Sequence, residues 1–169
     1  SISGWASLHK EEYDTLIERV KEGATLLITV ESGLICEFET VTGLRSYGMS
    51  AGGKGSFTLD GCELPFEYSK KFRLSALGAK IIATAEDGNV VLSENQLGKG
   101  KVFFLSFPLE AMLWKRQGAY EAGEPNYHRI YEIAAKEILE AKPMKCLNPD
   151  ISLTLHKEVD GYYAVAVNY

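Results

Sequence analysis

The chain has 169 residues, 46% of them hydrophobic and 11% aromatic, with a net charge of −5. That suits one domain, or one domain and a fragment of another, with a packed core and no extended disorder. The charge is spread without a basic run, which argues against a nucleic-acid partner. No apolar stretch approaches the roughly 20 residues of a membrane-spanning helix. Three scattered cysteines, Cys36, Cys62 and Cys146, form no C-x-x-C pair or Cys/His cluster, so neither a metal site nor a disulfide framework is expected, and no cofactor is called for.

Ser1 to Leu8 reads as the tail of a strand and its loop, with no signal-peptide architecture. The periodicity predicts a helix over 10–22: Tyr13, Leu16, Ile17 and Val20 form one stripe, His9 stands at the cap, Glu11 and Glu12 occupy the first turn, and Gly23 ends it. Thr25 to Val30 is a near-continuous apolar run, the pattern of a strand buried on both faces. It breaks at Glu31-Ser32-Gly33, and a short helix is expected over about Leu34 to Thr42. Tyr47 to Gly55, rich in Gly and Ser, reads as a mobile loop. Three Asp-Gly dipeptides, Asp60-Gly61, Asp87-Gly88 and Asp160-Gly161, each mark a hairpin turn. Gly98-Lys99-Gly100 leads into a buried strand from Lys101 to Phe107. A long helix opens at Pro125, carries Tyr127, Ile130, Ala134, Ile138 and Ala141 on its apolar face, and stops at Pro143. Ile151 to Tyr169 is a final hairpin with little of this sequence to pack on, and its unclosed edge suggests a segment of a longer polypeptide.

Four sets of residues could carry chemistry. Gly48 to Lys54 spells G-x-x-x-x-G-K, but Gly55 stands where a phosphate-binding loop needs Ser or Thr, and a strand pattern follows instead of a helix. Cys36 could join a histidine brought near by folding, against the simpler reading of a small buried residue. Trp5, Trp114, Tyr120 and Tyr127 could form an aromatic platform for a sugar or a partner protein; Trp114 and Tyr120 sit in a loop-like segment where binding residues collect. Glu31 and Glu110 each follow an apolar strand, and in a parallel sheet both would open on one edge. Two carboxylates about 5 to 10 Å apart can hydrolyse a glycosidic bond. The alternative is that each caps a helix N-terminus or forms an ion pair.

The order of elements resembles the class I glutamine-amidotransferase-like fold, in the version appended to bacterial glycoside hydrolases such as the trimerisation domain of β-galactosidases. Ser1 to Trp5, Glu11 to Gly33, Gly98 to Leu105 and the helix after Pro125 carry the likeness, which covers Ser1 to Pro143. It implies an α/β fold, a mostly parallel sheet flanked by helices with added hairpins, truncated at its N-terminus, over residues 1–145. Residues 146–169 would lead into a further β-rich domain. The departures are at the reactive positions. Where amidotransferases carry G-x-C-x-G this chain reads Thr29-Val30-Glu31-Ser32-Gly33, and where they carry His-Pro-Glu it reads Phe107-Pro108-Leu109-Glu110. Without nucleophile or base, glutaminase chemistry is not expected. The resemblance implies a non-catalytic accessory or oligomerisation domain of a bacterial carbohydrate-active enzyme. Its partners would be the catalytic domain of the same polypeptide, further copies of itself, or carbohydrate. The alternatives are a hydrolase using Glu31 and Glu110, and a sugar-binding module using Trp114 to Tyr120.

Overall fold

The computed structural model describes residues 8–31, 33–118, 121, 124–142, 144, 146 and 151–168. The chain forms two compact units, Ser1–Ala134 and Ala135–Tyr169.

In the first unit, helix α1 (Lys10–Glu22) buries Ile17 and Val20, and the Glu12 carboxylate accepts the His9 backbone N–H at 2.9 Å, satisfying one donor of the first turn. Strand β1 (Thr25–Thr29) follows, then the short helix α2 (Phe38–Thr42) and two long strands, β2 (Leu44–Leu59) and β3 (Cys62–Ala76). After them come β4 (Lys80–Thr84), β5 (Val90–Leu97), β6 (Gly100–Leu105) and α3 (Leu109–Lys115); α4 (His128–Glu140) begins in this unit. Four strands make one sheet in the order β1-β6-β5-β4.

Among the described residues only β1 and β6 run parallel; β6 with β5 and β5 with β4 are antiparallel. The structure is 48% strand and 26% helix, so the expected helix-flanked, mostly parallel sheet of the amidotransferase type is corrected to small antiparallel and mixed sheets. The reason lies in the connections. Gly98 and Lys99 alone join β5 to β6, and Asp87-Gly88 turns β4 into β5. Parallel neighbours need a crossover of about a dozen residues or more, and these links can only reverse the chain. Gly100 cannot be replaced cheaply at this junction, because a Cβ there would lie 2.1 Å from the Val20 carbonyl oxygen and 2.2 Å from that of Ala24.

A second correction concerns Tyr47 to Gly55. The segment is the middle of β2, paired with β3 through Met49↔Phe72, Gly53↔Tyr68 and Lys54↔Glu67. Its glycines serve close approach: a Cβ on Gly52 would come within 2.4 Å of the Tyr68 carbonyl oxygen. The G-x-x-x-x-G-K run therefore lies in a strand, with no helix after it to receive a phosphate.

Alternation along the strands sends side chains to both sheet faces. Leu26, Ile28, Val30, Val102 and Phe104 pack with Ile17, Val20, Phe38 and Val41. Val91, Leu105, Phe107, Leu109, Leu113 and Ile130 form the other cluster. The β2–β3 ribbon enters both, giving Leu44, Phe72 and Leu74 to the first and Phe57, Leu59, Leu64 and Phe66 to the second. Phe107 is fully buried, stacked on Phe66 at 4.7 Å between ring centroids and tilted against Phe57 at 5.8 Å. In the second unit, β7 (Ile151–Glu158) and β8 (Gly161–Asn168) form the expected hairpin, in which the His156 and Tyr163 rings stack at 4.7 Å.

Two consequences can be measured. Phe107→Ala empties the space between two aromatic rings, and chemical denaturation is expected to lose about 3–5 kcal/mol; a loss below about 1 kcal/mol would remove this cluster as the anchor of the ribbon. The second concerns acid. The Asp87 carboxyl is held below its ordinary range, first by the hydrogen bond from Lys71 and further by the Asn89 N–H, with burial opposing. A depressed carboxyl contributes stability that is complete above its unfolded value of about 3.9 and lost as pH falls through the folded value. Between about pH 5 and pH 2 the melting temperature of the wild type should therefore fall more steeply than that of Asp87→Asn. Equal slopes would exclude Asp87 from the acid response.

Candidate functional site

Because β1 and β6 are parallel neighbours, with Thr29 opposite Leu105, their carboxyl ends share one sheet edge. Val30 continues the pairing through its N–H to the Leu105 carbonyl at 3.0 Å. Glu31 follows, half-buried. Beyond β6 the chain turns at Phe107-Pro108 into α3, which places Glu110 in the first turn of that helix.

The Glu110 carboxylate is occupied. Oε2 accepts the Thr29 hydroxyl at 2.8 Å and Oε1 accepts the Tyr131 hydroxyl at 3.1 Å, so one side chain ties β1, α3 and α4 together. A carboxylate near a helix N-terminus is also favoured by the helix dipole. Among the described residues Glu31 has no ion pair or hydrogen bond through its side chain. Among the described residues no imidazole is hydrogen-bonded or ion-paired to Glu31 or Glu110, and His9 is the cap residue of α1. Phe107, which stands where the amidotransferase resemblance would put a histidine, is packed into the core. His128 lies in the first turn of α4, 3.9 Å from Glu132, and His156 stacks on Tyr163. Cys36 is exposed in the turn before α2, where its carbonyl accepts the Tyr13 hydroxyl at 2.8 Å. Burial pushes that phenol up to about 12.

The aromatic residues divide differently from the sequence reading. Trp5 and Tyr120 lie outside the described residues, as does Pro143. Trp114 stands on α3 and not in a loop, and is 91% exposed. Tyr127 is buried and donates its hydroxyl to the Pro65 carbonyl of β3, which makes it a core residue and no platform. Burial raises its phenol above the ordinary range. Beside α3 lies a cleft of about 420 Å³ lined by Lys54, Phe66, Met112, Lys115, Arg116 and Tyr127. Two of its cations are engaged, Lys54 with Glu67 at 2.7 Å and Arg116 with Glu124. The sequence reading missed Lys54 here; the Gly-Lys signal that marked it pointed to a phosphate loop. Among the described residues no group of three or more His, Cys, Asp or Glu is placed to hold a metal ion, and no helix is long and apolar enough to cross a membrane.

The backbone path is shared with parts of larger enzymes. The catalytic mutant of Gan42B, a GH42 β-galactosidase from G. stearothermophilus, matches 95% of this chain with a TM-score of 0.66 and 17% identity. The cold-adapted β-galactosidase from Rahnella sp. R3 matches 96% at 0.63 and 15%. The exo-β-1,4-mannosidase Op5Man5 from Opitutaceae bacterium strain TAV5 matches 74% at 0.62 and 18%. Its fold is found within glycosidases. The chain spans about a quarter of their length, covering 24%, 26% and 23% of the three chains respectively. Identities this low establish the likeness as one of fold. They bear on the glycosidase side of the resemblance and not on its amidotransferase side. No protein-family model and no curated protein matches the sequence.

The bonds at Glu110 give a direct expectation. Glu110→Ala removes the acceptor of two hydroxyls and should cost about 1–3 kcal/mol in thermal or chemical denaturation. Glu110→Gln, which keeps one carbonyl oxygen and faces hydroxyls able to reverse their donation, should cost less. Equal, negligible losses for both would show that this carboxylate does not tie the edge together.

Proposed function

We propose that this chain is a non-catalytic accessory domain of a larger bacterial glycosidase, whose surface packs against the catalytic domain of the same polypeptide or against another subunit. The observation that carries the reading is the sheet edge formed by β1 and β6. Its carboxylate at Glu110 is bound by the Thr29 and Tyr131 hydroxyls, and Phe107 fills the core where a base would act. A glycosidase acid needs a carboxyl free to meet the leaving oxygen, and an acyl-transfer site needs a nucleophile within reach of a base. Each Glu110 oxygen accepts a hydroxyl from within the domain, which holds the carboxylate between β1, α3 and α4. The likeness of fold to segments of β-galactosidases and a mannosidase supports the glycosidase context.

The exposed Trp114 on α3 is the side chain best suited to a contact, since Trp is enriched among residues that anchor interfaces. The β7–β8 hairpin fits the same reading. Tyr162, Tyr163, Val165 and Val167 are exposed on a two-stranded ribbon, a form that is marginally stable without further strands or a packing partner. A continuing β-rich domain would supply both.

The test is made on the full-length polypeptide. Glu31→Gln combined with Glu110→Gln is expected to leave glycosidase turnover within about twofold of wild type, because neither group would touch the reacting bond. A loss of turnover by about a hundredfold or more, with an unchanged circular dichroism spectrum and melting temperature, would replace the accessory reading with the hydrolase one.

A further inference from the structure

A second cleft lies where the β2–β3 ribbon meets the Asp87-Gly88 turn. It has a volume of about 340 Å³ and is lined by Tyr47, Ser50, Lys71, Arg73, Asp87 and Gly88. That is within the range of small-molecule sites, about 300–1,000 Å³. We propose that this cleft binds one neutral sugar ring, with Tyr47 as the stacking face and Arg73 and Asp87 as the groups that hold its hydroxyls.

The backbone singles out Tyr47. The register of the ribbon shifts there: Ser46 faces Leu74 and Gly48 faces Arg73, two consecutive residues of β3, so Tyr47 is an extra residue with no partner across the ribbon. Such a bulge re-aims a side chain, and bulges recur beside binding sites. Here it leaves an aromatic ring 65% exposed at the cleft, where no packing requires it. Gly48, directly opposite Arg73, carries no side chain to fill the space beside the guanidinium stem; a Cβ there would stand 3.7 Å from Arg73 Cδ.

The polar groups can both donate to and accept from a hydroxyl. Among the described residues no carboxylate or carbonyl pairs with the Arg73 guanidinium, whose planar fork can donate to two adjacent oxygens at once. The Asp87 carboxylate is fixed in place: Oδ2 receives Lys71 Nζ and Oδ1 receives the Asn89 N–H at 3.1 Å. Asn89 is itself locked to β3, accepting from the Leu74 N–H at 2.9 Å and donating to the Phe72 carbonyl at 3.0 Å. Each carboxylate oxygen keeps capacity for a further donor. A hydroxyl both donates and accepts, and the cleft offers a fork of donors, a held acceptor and the amphoteric Ser50. A phosphate or carboxylate would also be met by Arg73, since Lys71 pairs with Asp87 and offsets its charge, which is why inorganic phosphate is titrated alongside the sugars. The apolar face of a pyranose ring would lie on the Tyr47 ring and remove its exposed carbon surface from water.

The assignment rests on the glycosidase reading for its choice of probes, and the two can fail separately, because that reading is tested by turnover of the full-length polypeptide and this one by binding to the chain itself. The experiment is a titration of the ¹⁵N-labelled chain with galactose, lactose and β-1,4-mannobiose, and separately with inorganic phosphate, followed by NMR at Arg73 Nε and the Gly88 amide. At least one sugar should give saturable shifts with a dissociation constant on the order of 1 mM. Tyr47→Ala and Arg73→Ala should each weaken it about tenfold or more with an unchanged melting temperature, since both side chains are exposed and surface substitutions cost little. Two results overturn the proposal: no saturable shift with any sugar up to about 100 mM, or shifts with phosphate alone that persist in Tyr47→Ala, which would make the cleft an anion site.

Discussion

The stacked pair Phe66 and Phe107, with Phe57 tilted against them, is the contact on which the rest of the first unit depends. Phe107 extends from the last strand of the sheet, while Phe57 and Phe66 come from a ribbon whose recorded backbone pairing to that sheet is a single bridge, Phe57 to Ala85. Ladder hydrogen bonds therefore do not account for where the ribbon sits. Burial of aromatic surface does, since such rings carry the largest apolar areas and gain further from their mutual geometry. Once the ribbon is seated, Leu44, Phe72 and Leu74 at its open end complete the core on the other face.

The same ring fills the turn that follows β6, beside the edge where β1 and β6 end. A parallel strand pair presents the ends of β1 and β6 side by side, the arrangement in which α/β proteins display nucleophiles and bases. At position 107 an imidazole would have to be partly wet to exchange protons, whereas a phenyl ring can be fully buried and stacked. The edge is closed further by Glu110, whose carboxylate joins β1, α3 and α4 through two hydroxyls. The exposed aromatic side chains Trp114 and Tyr47 stand elsewhere, on α3 and at the β2 bulge.

The legible parts of the sequence were those with a local cause. The α1 stripe of Ile17 and Val20, the buried run of β1 and the three Asp-Gly turns each follow from periodicity or from a backbone conformation that few residues tolerate. That the strands preceding Glu31 and Glu110 open on one edge was expected from two largely apolar runs, and the parallel pairing of β1 with β6 makes them neighbours. Gly48 to Lys54 could not be read in the same way. Its glycines and serine look like a loop when taken alone, yet the segment is held extended by residues more than a dozen positions away, among them Tyr68 and Phe72. Composition reports what a segment prefers by itself, and pairing overrides that preference.

The sequence by itself therefore determined α1, the buried run of β1 and the hairpin turns, since these depend on residue type and near neighbours. Tertiary structure alone decided that among the described residues one strand pair is parallel, that Glu110 accepts from Thr29 and Tyr131, and that Trp114 stands exposed on a helix. It also decided that Tyr47 and Arg73 face one cleft. The physical reason is separation along the chain: Thr29 and Glu110 are 81 residues apart, and Tyr127 and Pro65 are 62 apart. Contacts of that span are selected by how well two buried surfaces fit, and no local pattern carries that information.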